Sequence, residues 1–181
     1  MRGLQGITAR GVFFVAATTG MIGNAAIADE PVVKRTIQVS GTGTDLLNGA
    51  IVHSTKQTAT GVIQRGTEIV DLSGDLNGKI LYHVTTIINN QKGTLVNTGD
   101  QVFSGTIAGS EPVMLYDDSF VFEANLATGS EHGHVYLVRH LGGPAVRCVL
   151  EVSGTGKDGS DNPTFTYGGD CIFAPSGAAA H

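Results

Sequence analysis

The stretch Pro144–Phe173, PAVRCVLEVSGTGKDGSDNPTFTYGGDCIF, carries both cysteines of the chain and restricts the fold more than any other segment. Two strand-like runs flank a polar turn. With the turn centred between Gly159 and Ser160, Cys148 falls opposite Cys171, Leu150 opposite Gly169 and Val152 opposite Tyr167. Side chains alternate faces along a strand. Cys148, Leu150, Val152, Phe165, Tyr167 and Cys171 then share one apolar face. Arg147, Val149, Glu151, Ser153, Thr164, Thr166 and Asp170 share the other. One register gives an apolar inside, a mostly polar outside and a cysteine pair, so the segment reads as a C-terminal hairpin closed by a Cys148–Cys171 disulfide. The alternative, two free buried thiols, is disfavoured by this register and by the export signal described next.

Arg2 and Arg10 precede and border the short apolar run Gly11–Gly23, and Ala26-Ile27-Ala28 is a small-x-small cleavage pattern before Asp29. This is the layout of a secretory signal peptide, and the run is short for a membrane span. Residues 1–28 are therefore expected to be removed, leaving one β-domain over 29–175 and a disordered tail at 176–181. The expected location is secreted or periplasmic, with no membrane span after cleavage. The formal charge is −5, and residues 1–28 hold two basic and no acidic residues, so the remainder is more acidic still. No Lys/Arg cluster offers a footing for phosphates, which argues against nucleic acid as a partner.

Charged residues make up only 15% of the 181 positions, and there are 26 Gly. Together with the many Thr, Val and Ile, this favours strands and turns over helices. Strand candidates are Val32–Ser40, ended by SGTGTD; Ala50–Thr55 after the Asn48-Gly49 turn; Ala59–Gln64; and Thr67–Leu72. They continue with Lys79–Ile88, apolar on both faces and so expected to be covered on both; Thr94–Ile107, interrupted at Thr98-Gly99-Asp100; and Val113–Tyr116. Ser119–Leu126 follows Asp117-Asp118, with Phe120, Phe122, Ala124 and Leu126 on one side. His134–Leu141 leads into the final hairpin. The regular spacing of about eight or nine strands signals an antiparallel sandwich or a closed barrel. Closure hides the edges of a chain with few charges to guard them, so the expected fold is an all-β antiparallel barrel of about eight strands, an up-and-down meander. One echo stands out: Ile37–Asp45 reads IQVSGTGTD and Leu150–Asp158 reads LEVSGTGKD, two similar exits from strands.

Leu72-Ser73-Gly74-Asp75-Leu76-Asn77-Gly78, Ser153-Gly-Thr-Gly156 and Phe165-Thr-Tyr-Gly-Gly-Asp-Cys-Ile-Phe173 resemble the turns and closing strand of the allene oxide cyclase-like and dirigent-like group of small bacterial barrels. The resemblance covers about two-thirds of the mature chain. It implies an eight-stranded, calycin-type barrel with a cavity. It also implies either the steering of a cyclisation of a reactive small molecule, or no assigned activity. No catalytic residue of that group finds a match, so none is carried over.

Among chemistry-bearing residues, His132, His134 and His140 would share a face of one continuous strand with Tyr136 and Val138. His132 and His134 would lie about 7 Å apart and His140 about 20 Å from His134. A third ligand would have to come from His83 or Glu123, and no HExxH-type pattern exists, so the reading is surface histidines and no metal. No G-x-S-x-G elbow is present, Gly41-Thr-Gly43 lacks a following helix, and DGSDN at Asp158–Asn162 is short of carboxylates for calcium. No cofactor is expected. Tyr82, Phe120, Phe122, Tyr136 and Tyr167 are the expected ligand-binding side chains, with Tyr82 and Tyr167 offering hydroxyls. The catalytic residues, if any, are not assigned. The leading functional reading is a barrel that binds a small, largely apolar molecule. A cofactor-free cyclase or isomerase, working by positioning, is the alternative. A structural or adhesive module, acting through its outer face or as a homo-oligomer, is the third.

Overall fold

The computed structural model describes residues 34–175, and both the expected signal peptide and the expected C-terminal tail lie outside them. Ten strands run as β1 (Arg35–Asp45), β2 (Ile51–Gln57), β3 (Gly61–Gly74), β4 (Leu76–Asn89), β5 (Thr94–Ile107), β6 (Val113–Asn125), β7 (Ser130–Leu137), β8 (Arg139–Gly142), β9 (Val146–Lys157) and β10 (Pro163–Phe173). Every pairing is antiparallel, and β3 to β7 follow one another as a meander. The sheet closes because β1 pairs with β10 along one edge and with the second half of β3 along the other. The result is an eight-stranded barrel in which β8 continues the line of β7 against β6. β2 is an addition that pairs with the first half of β3 and is exposed at every residue.

The final hairpin adopts the register read from its periodicity: Cys148 opposite Cys171, Leu150 opposite Gly169, Val152 opposite Tyr167. The two cysteines form a disulfide with Cα atoms 4.2 Å apart, and both are fully buried. Past Phe165 the register shifts by one, with Thr155 as the extra residue and Gly156 at φ 115°. That geometry suits glycine.

Several elements differ from the expected pattern. SGTGT does not end β1, which runs on to Asp45. Its glycines are there for space: Gly41 and Gly43 point inward, where a Cβ would collide with the phenol of Tyr167 and the ring of Phe165. Asn48-Gly49 closes a 3-10 turn, Leu47–Gly49, rather than a hairpin. Asp117-Asp118 does not separate two strands. Asp100 on β5 and Asp118-Ser119 on β6 are left unpaired between the Gln101–Asp117 and Gly99–Phe120 pairs. This bulge switches the inward set of β6 from Val113, Leu115 and Asp117 to Phe120, Phe122 and Ala124, which is why its periodicity breaks. The outer face of β4 is not covered; Leu81 is 47% exposed. His134–Leu141 is not one strand, because a tight turn at Val138, whose N–H donates to the Tyr136 carbonyl at 2.7 Å, divides β7 from β8.

Inside, residues on β3, β4, β5 and β6 align in transverse rungs. Val70–Ile80–Phe103–Leu115 is apolar; Glu68–Tyr82–Gln101–Asp117 is polar; Gly66–Val84–Gly99–Phe120 is apolar again. One end of the barrel is packed solid by Leu76, Phe103, Ile107, Leu115, Leu137 and the disulfide, all fully buried. The opposite end is open. The disulfide closes a loop within the packed end, and on a chain-entropy basis it contributes about 3 kcal/mol. Replacing both cysteines by alanine is therefore expected to lower the unfolding free energy by about that amount, read as a lower urea midpoint with an equal or larger m-value, since the unfolded chain is released from its cross-link.

Candidate functional site

The open half of the barrel encloses a cavity of about 370 Å³. Its wall is largely apolar: Val70, Leu72, Ile80, Val135, Leu150 and Val152 below, with Phe120, Phe122 and Phe165 around the middle. Leu47 and Leu126, each about half exposed, stand at the mouth. A cavity of this size and lining is of the kind that takes a small molecule.

Tyr82, Phe120, Phe122 and Tyr167 all line this space. Tyr82 and Phe120 meet edge to face, with centroids 5.6 Å apart. Two expectations need correction. Tyr136 does not line the cavity; it lies on the outer face of β7, 36% exposed and stacked beside His134, because the inward residues of β7 are Glu131, Gly133, Val135 and Leu137. Tyr167 contributes its ring but not its hydroxyl. That oxygen accepts a bond from the Leu76 N–H at 2.7 Å and has the Leu76 and Ser73 carbonyls, at 3.1 and 3.2 Å, as acceptors for its single proton. It is spent on holding β10 to the β3–β4 turn.

The polar centre is a cluster that aromatic residues alone do not reveal. The Tyr82 hydroxyl donates to Asp45 Oδ2 at 2.9 Å and also meets Glu68 Oε2. A phenol has one proton to donate, so two carboxylates can both hydrogen-bond to it only when one of them carries a proton of its own. Burial, and then the neighbouring Glu68 charge, push the Asp45 carboxyl up to about 7, with the Tyr82 bond pulling partly the other way. Burial and the same two carboxylates push Tyr82 far above its ordinary range, so it remains a neutral donor. The other oxygen of Asp45, Oδ1, is buried without a hydrogen-bond partner, as is Asn97 Oδ1 in the same wall. Gln101, 5% exposed, spends its amide nitrogen on Asp117 Oδ2 at 2.9 Å. Asp117 is in turn anchored by the Ser119 and Tyr136 N–H groups, each at 2.8 Å.

Asp45 and Glu68 were within reach of the sequence pattern. Asp45 has the parity of Ile37, Val39, Gly41 and Gly43, and Glu68 that of Val70 and Leu72; each is a carboxylate on an apolar face. What the pattern could not show is that Asp45 lies two strands from Tyr82 across the closure of the barrel. The other candidates sit elsewhere. His132 and His134 point outward, with His132 Nε2 at 3.4 Å from Glu123 Oε2, and His140 bonds the Gly143 carbonyl at 2.9 Å. His83 faces Asp100 on the outer surface, at 3.2 Å. Among the described residues no group of three metal-ligating side chains converges. The Asp158 oxygens are occupied within their own turn by Ser160 and Asn162, which hold that carboxyl below the usual range.

Fold and site together define a small antiparallel β-barrel with a one-ended, aromatic-walled cavity and an acidic pair on its side. No protein-family model, curated protein or solved structure matches the chain. No helix among the described residues is long and apolar enough to cross a membrane.

Because Asp45 binds its proton more tightly folded than unfolded, its contribution to stability is complete below about pH 4 and is lost as pH rises through about 7. The unfolding free energy is expected to fall by on the order of 2–4 kcal/mol over that window. In Asp45→Asn, which mimics the protonated form, this part of the pH dependence should vanish. Urea midpoints for both proteins across pH 4 to 8 check it.

Proposed function

We propose that this chain is an exported barrel that holds a small, largely apolar molecule in its interior. The observation that carries the reading is the cavity itself. An interior of about 370 Å³, walled by aliphatic and aromatic side chains and open at one end, is costly to leave in water unless it has an occupant. The signal-like start of the sequence and the disulfide support export to an oxidising compartment, secreted or periplasmic. The outer face gives the adhesive alternative a narrower basis. Leu81 lies in a transverse row with Ile69 and Val102, and Ile87 in a row with Ile63 and Val96, while Lys79, His83, Thr85 and Asn89 separate the rows along β4.

One observation favours the cofactor-free isomerase or cyclase as a second reading. Asp45, poised near neutrality beside a neutral phenol in an apolar enclosure, has the environment of a group that takes and returns a proton at physiological pH. The resemblance of the turns and the closing strand to allene oxide cyclase-like barrels points the same way by analogy.

The binding reading is tested with a neutral apolar dye whose fluorescence rises on leaving water. One dye per chain at micromolar concentrations is expected for the wild type. Val152→Phe, which fills the wall, should weaken binding at least tenfold without lowering the thermal midpoint by more than a few degrees. No saturable binding, or equal binding by the filled variant, would count against it.

A further inference from the structure

We propose that the cavity is selective for a ligand that joins an apolar body to a protonated amine, with the ammonium group directed at Asp45 and Glu68. This rests on the binding reading above and names its ligand class.

Among the described residues, three carboxylates line the cavity, Asp45, Glu68 and Glu131, and no Lys, Arg or His does. None of the three forms an ion pair among the described residues, although carboxylates on the outer surface do: Asp71 with Lys79, Asp100 with His83, Asp118 with Arg139. The inside of the barrel therefore holds negative charge without a counter-ion, in a setting where an unpaired charge is costly.

Ligand classes differ sharply in what they would meet there. An anion would be repelled by all three carboxylates with no basic group to receive it. A neutral apolar molecule would leave the carboxylates of the wall without a counter-charge. An ammonium brings them a positive charge and several N–H donors at once. The adjoining rings of Tyr82, Phe120, Phe122 and Phe165 add faces that attract a cation.

A proton competes for the same place. Asp45 faces Glu68 on β3 and Tyr82 on β4. The remaining titratable groups in the wall are Glu131 on β7 and Tyr167 on β10. A cation favours the ionised form of Asp45, so amine binding releases a proton near neutral pH and strengthens as pH rises.

The test compares n-octylamine, n-octanol and octanoate, three ligands with the same chain and different heads, by titration calorimetry on the oxidised protein. An alkylammonium, like Lys, stays protonated through pH 8. At pH 8 octylammonium is expected to bind at least tenfold tighter than octanol, with octanoate the weakest. The advantage should shrink by about tenfold between pH 7 and pH 5.5, a profile that needs no variant. In Asp45→Asn/Glu68→Gln the amine should fall to within about threefold of octanol measured on the same variant. Equal binding of amine and alcohol at pH 8, a preference for octanoate, a pH-independent amine affinity or an unchanged preference in the double variant would each overturn amine selectivity while leaving the cavity as a binding site. Failure of all three ligands to bind would overturn the cavity reading and this proposal with it.

Discussion

Closure of the sheet through β1 is the constraint on which the rest depends. β1 gives one edge to β10 and the other to β3, and without it the β3–β10 sheet would be open and the cavity would have no fourth wall. The closure works because the middle of β1 is bare on its inner side, between Val39 in the core and Asp45 at the polar site. Gly41 and Gly43 let the β10 rings lie directly over the strand, and the Tyr167 hydroxyl then reaches across to the backbone of Leu76 and Ser73. The same strand ends in Asp45, which closure places against Glu68 and Tyr82. The event that completes the barrel thus also assembles its polar site.

The interior is divided by function along its axis. The packed end carries the large, fully buried side chains and the disulfide. Above it runs the rung Glu68–Tyr82–Gln101–Asp117, and beyond that the wall opens. A polar rung on four neighbouring strands is a costly element for a core, and its members answer the cost in two ways. Gln101 and Asp117 bond each other and nearby backbone, which fixes them. Tyr82 bonds both Glu68 and Asp45, and the three keep acceptors and a proton at the cavity wall. One half of the rung is structural, and the other faces the space where a ligand would sit.

Strict two-residue alternation made much of the architecture readable. It gave the register of the β9–β10 hairpin, the cysteine pair and the inward face of the second half of β6, but not that of β4, whose two faces are similarly apolar in the sequence. It failed where the alternation is broken by bulges, at Asp100 and Asp118-Ser119, and where glycine marks close packing and not a turn, in SGTGT. The aromatic part of the site was legible because large apolar residues on an inward face can only point into the barrel. Tyr136 misled because its strand was read together with β8; inward parity on β7 belongs to the odd positions. The Asp45–Glu68–Tyr82 cluster was not legible because the pairing of β1 with β3 bypasses β2, which the alternation presents as one more strand of the meander and not as an addition outside it.

The echo between IQVSGTGTD and LEVSGTGKD acquires a meaning in the assembled molecule, since the strands that carry it, β1 and β9, lie on either side of β10. Phe165 has Gly43 as its neighbour on one side and Gly154 on the other. The last strand thus lies between two nearly identical glycine-bearing segments, one close along the chain and one more than a hundred residues away. The disulfide ties it covalently to the nearer one alone, leaving the barrel's seam with β1 to backbone bonds and packing.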